Sequence, residues 1–85
     1  MLHEYRKTAT IMAEQFTGLP KQVAKYHLKI LGPTTILEKK PEEFILPTKE
    51  GDMTINKGDY IATGVDGEHW AIDKDIFERT YERVD

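Results

Sequence analysis

The absence of cysteine is the feature that most constrains what this chain can fold into. It excludes disulfide bonds, zinc–thiolate sites and thiol nucleophiles. The chain has 85 residues, enough for one domain, which must be stabilised by a small apolar core alone. Such a core leaves little room for an enclosed ligand pocket of roughly 300–1,000 Å³. We therefore predict a single domain, residues 1–85, that binds any small molecule on its surface or between copies of itself.

The composition is that of an ordinary globular protein, with 39% hydrophobic and 32% charged residues. No segment approaches the roughly 18 consecutive apolar residues that a membrane-spanning helix needs. The first residues lack the apolar centre of a signal peptide. These features predict a cytoplasmic protein that does not associate with membranes.

The charge is divided unevenly along the chain. The net charge is −3, but residues 1–40 carry +4 and residues 41–85 carry −7. This asymmetry has two interpretations: either a basic face that receives an anion, or two halves that each have their own solvated surface. Binding to duplex DNA is not expected, because neutralising phosphates needs a clearly basic domain.

The N-terminal half reads as one strand followed by one longer helix. Alternating apolar and polar residues predict a strand over residues 5–16. Apolar residues at helical spacing then predict a helix over about 19–31, which has Pro20 in its first turn and is ended by Gly32 and Pro33. In that helix Lys21, Lys25 and Lys29 would form one cationic stripe.

The sequence after residue 33 predicts mainly short strands joined by turns. Strands are predicted over 34–37, 44–48, 53–56, 60–65 and 68–72, with a final strand over 80–84. Asp73 is a good N-cap for a short C-terminal helix over 74–79. Because helices and strands are segregated, we predict an α+β fold with a curved, mainly antiparallel sheet.

The pair Asp66-Gly67 is the strongest local turn signal. A two-residue type I′ turn at this pair would place Ile61 opposite Ile72 and Thr63 opposite Trp70, on the core side of the hairpin. Gly64 lies within the strand and indicates that some other group approaches its backbone closely.

Motifs that carry catalysis are absent from the sequence. There is no serine, and His3, His27 and His69 do not occur in a zincin, deaminase or two-histidine phosphoesterase motif. No glycine-rich phosphate-binding loop or EF-hand loop is present. We predict a protein that is not an enzyme and uses neither a metal nor a cofactor.

Six segments resemble a broad family of small phage and prophage proteins. They are residues 5–7, 15–18, 48–51, 57–61, 64–68 and 75–82. The resemblance covers both ends of the chain and is most specific after residue 48. The chain departs from the family at Trp70, Ala71 and Ile72, where Tyr-Pro-Cys is usual.

The resemblance implies a phage-encoded accessory protein in the host cytoplasm. Among very small phage proteins, one recurrent activity is to sequester the nucleotide signals of host defence systems such as CBASS or Thoeris. A cyclic oligonucleotide needs flat rings for its bases and cations or amides for its phosphates. The candidate stacking residues are Trp70, Tyr60 and Tyr81; the candidate phosphate contacts are Arg6, Lys7, Lys74 and Arg79; and the candidate readers of base edges are His69 and Gln15.

The sequence is therefore compatible with three functions. The first is a homo-oligomer that holds a cyclic nucleotide without cleaving it. The second is an inhibitor or adaptor whose acidic C-terminal half occupies a basic host protein. The third is a structural component of the virion.

Overall fold

The computed structural model describes residues 1–6, 9–32 and 43–85 and confirms an α+β fold. Six strands and two short helices follow one another in this order: β1 (Met12–Gln15), α1 (Pro20–Lys25), β2 (Lys29–Leu31), β3 (Glu43–Thr48), β4 (Gly51–Ile55), β5 (Tyr60–Thr63), β6 (His69–Ile72) and α2 (Lys74–Thr80).

The strands form two antiparallel sheets rather than the one curved sheet that the sequence predicted. The first sheet has the order β1-β5-β6, and the second has the order β2-β3-β4. β5 pairs with β1 and β6 on its two sides, while β3 pairs with β2 and β4.

The core lies between the two sheets. Ile61 of the first sheet and Leu46 and Ile55 of the second are fully buried. Phe16, which follows β1, is also fully buried and packs edge-on against Phe44, with 5.0 Å between the ring centroids. This one apolar cluster therefore joins both sheets.

The predicted helix over 19–31 is wrong in its second half. α1 ends at Lys25, and Leu28 donates its N–H to Val23 O while His27 donates to Ala24 O. His27 has φ +56°, so this is a Schellman motif with histidine where glycine is usual. The motif turns the chain so that Leu28 enters the core and the following residues form β2.

Ending α1 at Lys25 also removes the predicted lysine stripe. Lys29 lies on β2, where its Nζ is 3.5 Å from Asp52 Oδ2. Lys25 is bound to Glu14, with 2.8 Å between Nζ and Oε2. Two of the three lysines are therefore neutralised by carboxylates of the sheets and do not form a shared cationic surface.

The two predicted terminal strands are also corrected. Of the described residues in the predicted span 5–16, only Met12–Gln15 form a strand. At the C-terminus, α2 continues to Thr80 and residues 81–85 form no strand, so the strand predicted over 80–84 is wrong. The predicted strand over 34–37 lies outside the described residues.

The β5–β6 hairpin forms as predicted but with its register shifted by one residue. Ile61 pairs with Ala71, Ala62 with Trp70 and Thr63 with His69. Gly64 donates to Glu68 O, so the loop has three residues, of which only Gly67, at φ +80°, has a positive φ. A type I′ turn needs two residues with positive φ, whereas a three-residue loop needs only one, usually glycine.

The shifted register changes which side chains face the core, because neighbouring residues of a strand point to opposite faces. Ile61 remains on the face toward the second sheet, together with Ala71 and His69. Trp70 and Ile72, which were expected on the core side, lie on the opposite face. We call this opposite face of the first sheet the outer face.

Candidate functional site

Three aromatic rings are stacked at the outer face of the first sheet. Phe77 of α2 lies over Tyr60 of β5, with 4.0 Å between the centroids and 16° between the ring planes. Tyr81 continues the stack on the other side of Phe77, at 4.9 Å and 15°. We call Tyr60, Phe77 and Tyr81 the aromatic ladder. Its last ring, Tyr81, belongs to a residue that is 38% exposed.

The ladder forms because α2 starts at a fixed point beside β5. The Asp73 carboxylate accepts hydrogen bonds from the N–H groups of Asp75 and Ile76, as an N-cap does. Asp59, which precedes β5, accepts from Lys74 N through Oδ1, at 3.3 Å, and from Asn56 N through Oδ2, at 3.0 Å. Asp59 thus attaches the first residue of α2 to the β4–β5 turn.

One charged network borders the ladder. Lys74 Nζ lies 2.9 Å from Glu78 Oε1, and the Tyr60 hydroxyl donates to Glu78 Oε2 at 3.1 Å. The hydrogen bond from Lys74, with a further contribution from Tyr60, lowers the pKa of Glu78. Glu78 in turn raises the pKa of Lys74, and desolvation followed by the Glu78 bond raises the pKa of Tyr60. At neutral pH the network is an ion pair beside a neutral phenol.

Five of the nine predicted site residues lie in or next to this region. Tyr60 and Tyr81 belong to the ladder, and Lys74 borders it. Trp70 is half-buried on the same outer face. Gln15 pairs directly with Tyr60 across β1 and β5, and its Nε2 donates to Gly58 O at 3.0 Å.

Three other predicted site residues that the structure describes do not join the ladder. His69 lies on the inner face, where its Nδ1 is 2.9 Å from Thr63 Oγ1. Arg79 donates to Asp75 O, and helical spacing places it on the side of α2 away from Phe77. Arg6 is exposed in the N-terminal segment, and Lys7 lies outside the described residues. The described candidate phosphate contacts are therefore not gathered in one place.

Sequence reasoning missed Phe77, the central ring of the ladder. The signal was present, because Phe77 and Tyr81 are four residues apart, a spacing that places two side chains on one face of a helix. It also missed Glu78, which binds both Lys74 and Tyr60. That role depends on α2 folding back over β5, and no local pattern indicates such a contact.

The described part of the chain offers little for metal binding or membrane crossing. It holds no group of three or more His, Asp or Glu residues arranged to bind a metal ion. None of its helices is long and apolar enough to span a bilayer. The chemistry available at the ladder is stacking and hydrogen bonding.

Comparisons with known proteins give no relative. No family model matches the chain, and neither a curated protein nor a solved structure is significantly similar to it.

Proposed function

We propose that this protein binds and sequesters a cyclic oligonucleotide defence signal in the host cytoplasm without cleaving it. The observation that carries the proposal is the aromatic ladder, which ends in a partly exposed tyrosine. Stacking of a base on an aromatic side chain is worth about 1–3 kcal/mol. Two supporting rings hold Tyr81 in place before a ligand arrives, so less conformational entropy is lost on binding.

Of the described candidate phosphate contacts, Lys74 is the one that borders the ladder, through Glu78 and the Tyr60 hydroxyl. Its ammonium has three donors, of which Glu78 takes one. A phosphate oxygen can therefore bind while the Glu78 ion pair remains. Glu78 also adds a negative charge at this position, so we expect affinity to come mainly from stacking and to decrease only moderately with salt.

The geometry favours a ligand bound between two copies of the chain. Each copy presents one end of one ladder, whereas a cyclic dinucleotide carries two bases. Two copies related by a twofold axis would supply one Tyr81 to each base, and such symmetric dimers are the commonest oligomers. We therefore propose a homo-oligomer in the ligand-bound state.

A thermal-shift panel of cyclic di- and trinucleotides tests the proposal. At least one member should raise the melting temperature, and the same nucleotide should be recovered intact after denaturation. Tyr81→Ala should weaken binding by about 5–100-fold, which corresponds to the loss of one stacked base. Tyr5→Ala, which removes a tyrosine that is 87% exposed in the N-terminal segment, is the matched control and should leave binding unchanged.

Two results would contradict the proposal. One is the absence of stabilisation across the panel at concentrations well above micromolar. The other is recovery of a linear or hydrolysed nucleotide, which would show that the protein is an enzyme. Size-exclusion chromatography with light scattering, with and without the stabilising nucleotide, tests whether the bound form contains two copies.

A second candidate function is direct contact with a basic host protein, and the surface of α2 and of the residues that follow it favours it. Asp75 and Glu82 are exposed and form no ion pair with any described residue. Ile76, between them in sequence, is 47% exposed. Wild-type protein should then capture a specific basic partner from host lysate, and a variant with Asp75→Lys and Glu82→Lys should lose it. Capture of no partner would argue against this function.

A further inference from the structure

Strand β4 forms one edge of the second sheet and is open to solvent. Its first four residues are exposed, and only Ile55 at its end is buried. Natural proteins usually protect such an edge with a proline, a lysine, a bulge or a covering element, because its free backbone groups can pair with another chain. β4 contains no proline or lysine, and its pairing with β3 continues without a bulge along the whole strand.

The outward backbone groups of β4 belong to Asp52 and Thr54. Thr48 and Gly51 are partners across a two-residue loop, and such a loop ends on a hydrogen-bonded pair. Hydrogen-bonded and non-hydrogen-bonded pairs alternate along an antiparallel ladder, so every second residue after Gly51 bonds to β3. The N–H and C=O groups of Asp52 and Thr54 therefore point away from β3, and none of them bonds to a described residue outside the sheet.

The other sheet edges are less open. At β1 the side chain of Gln22 donates to Gln15 O, so α1 occupies part of that edge. β2 has only three residues, and one of them is Lys29. All four residues of β6 are half-buried, and Ala71 packs against the apolar cluster of the core. Among the described edge strands, β4 is therefore the one that is both long enough and open enough to pair with a further strand.

Local hydrogen bonds limit how two copies of β4 can pair. Glu50 N–H is bound to the Thr48 hydroxyl, and Asn56 N–H is bound to a carboxylate of the β4–β5 turn. The outward N–H groups on both sides of β4 are thus already occupied. In one antiparallel register Asp52 of each copy lies opposite Thr54 of the other, and every outward backbone group of β4 then has a partner. The neighbouring registers leave some of these groups unpaired, and one of them places Asp52 opposite Asp52, which is destabilising.

We propose that two copies of this chain associate through β4, which joins their second sheets into one continuous antiparallel sheet. Met53 pairs with the buried Leu46, so its side chain is on the face toward the core, where it is 37% exposed. In the register given above it would lie opposite Met53 of the other copy, at a non-hydrogen-bonded position where side chains approach closely. A strand this short buries little area, so the dimer should be weak and form mainly at high protein concentration.

This interface is separate from the aromatic ladder. β4 belongs to the second sheet, whereas Tyr60 of the ladder belongs to the first. Pairing through β4 therefore needs no nucleotide and does not depend on the proposed function of the ladder.

Sedimentation equilibrium of the nucleotide-free protein, from micromolar to millimolar concentration, tests the proposal. The mass should rise from that of one chain to that of two. Thr54→Asp would place a second carboxylate opposite Asp52 in both pairs and should raise the dissociation constant roughly tenfold. Thr54→Lys would place an opposite charge there and should lower it about threefold. Ala13→Asp, at an exposed position on the edge strand β1, is the matched control and should leave it unchanged.

Four outcomes would overturn the proposal. A single-chain mass at every concentration would exclude the dimer. Equal dissociation constants for Thr54→Asp and Thr54→Lys would exclude the pairing of Asp52 with Thr54. Weakening by Ala13→Asp as large as that by Thr54→Asp would place the interface at β1. Loss of the nucleotide-free dimer in Tyr81→Ala would place it at the ladder.

One combination of results would support β4 whether or not any nucleotide binds the ladder. Tyr81→Ala should keep the nucleotide-free dimer, while Thr54→Asp weakens it and Thr54→Lys strengthens it.

Discussion

The two helices are similar in length but are attached to the sheets in different ways. α1 is joined to β1 by the amide of Gln22, whose Nε2 donates to Glu14 Oε1 and Gln15 O and whose Oε1 accepts from the N–H and hydroxyl of Thr17. Its Schellman motif then places Leu28 in the core. α2 is attached by the bond from Lys74 N to Asp59 and by the stacking of Phe77 on Tyr60.

This difference in attachment leads us to expect that α1 contributes mainly to stability and α2 mainly to ligand binding. α1 carries none of the candidate binding residues, while Lys74, Arg79 and the adjoining Tyr81 all belong to α2 or its end. α2 has no buried residue, so side chains of α2 can be changed without disturbing the core. We expect changes at α1 to alter the free energy of unfolding most, and changes at α2 to alter ligand binding most.

The largest loss of stability should come from Gln22→Ala. This change removes two hydrogen bonds from α1 to β1 and two to Thr17. Each is worth about 0.5–1.5 kcal/mol, and we expect a loss of about 2–4 kcal/mol in the free energy of unfolding. Urea denaturation measures it, with Lys21→Ala on the same helix as the control. If Gln22→Ala lowers the free energy of unfolding no more than Lys21→Ala does, the expected difference in stability between the two helices would be contradicted.

Phe77→Ala should have a smaller effect on stability and a larger one on binding. It removes two stacked contacts, worth about 1–3 kcal/mol together, and leaves Tyr81 without support. Urea denaturation and nucleotide titration should be compared with Ile76→Ala, which removes an exposed apolar side chain of the same helix. Unchanged nucleotide affinity in Phe77→Ala would contradict the role given to the ladder.

His27→Gly should stabilise the protein by about 0.5–1 kcal/mol. At φ +56° histidine pays a steric cost that glycine avoids, and this gain exceeds glycine's cost in the unfolded chain. In a continuous helix over 19–31 the same change would instead destabilise by a few tenths of a kcal/mol, roughly the difference in helix propensity between histidine and glycine. The sign of the shift in thermal unfolding thus distinguishes the observed end of α1 from the longer helix.

The smallest expected effects are those of pH on the two glutamate–lysine pairs. The hydrogen bond with Lys25 lowers the pKa of Glu14, and that with Lys74 lowers the pKa of Glu78, both from an ordinary value of 4.5. A lowered folded-state pKa gives stability that is present above 4.5 and is lost as the pH falls through the lowered value. Solvent screens both pairs, so the loss should be slight.

Thermal melts between neutral and acidic pH can separate the two pairs. Glu14→Gln should flatten the acid-side decrease more than Glu78→Gln, because Glu14 of β1 binds both Lys25 and Gln22 of α1, the more firmly attached helix. A stronger flattening in Glu78→Gln would indicate that α2, and not α1, is the more firmly attached helix.

The sequence predicted those features whose signals are local. Asp73 caps α2 through its own side chain, and the helix begins where the sequence places it. The approach to Gly64 was also predicted: the Glu68 carboxylate occupies the position that a β-carbon at Gly64 would take. Each of these features involves residues within a few positions of one another, so a short stretch of sequence includes both interacting residues.

Two local turns with an unexpected conformation, and one contact between distant residues, were not predicted. The Schellman motif ends α1 at a histidine. The apolar spacing of residues 19–31 continues beyond this end because Leu28 packs into the core after the chain has turned. The one-residue shift of the hairpin follows from Gly67 alone adopting a positive φ. The ladder needs Phe77 and Tyr60, which are far apart in sequence and meet only when Asp59 positions α2.

Asp59 has a consequence for how the C-terminal segment can be altered. One of its carboxylate oxygens shapes the β4–β5 turn and the other receives Lys74 N. If α2 detaches, the turn keeps its own hydrogen bond and the strands on either side stay in register. A different tail can therefore be grafted in place of residues 73–85 while the β4–β5 turn keeps the hydrogen bond from Asn56 to Asp59.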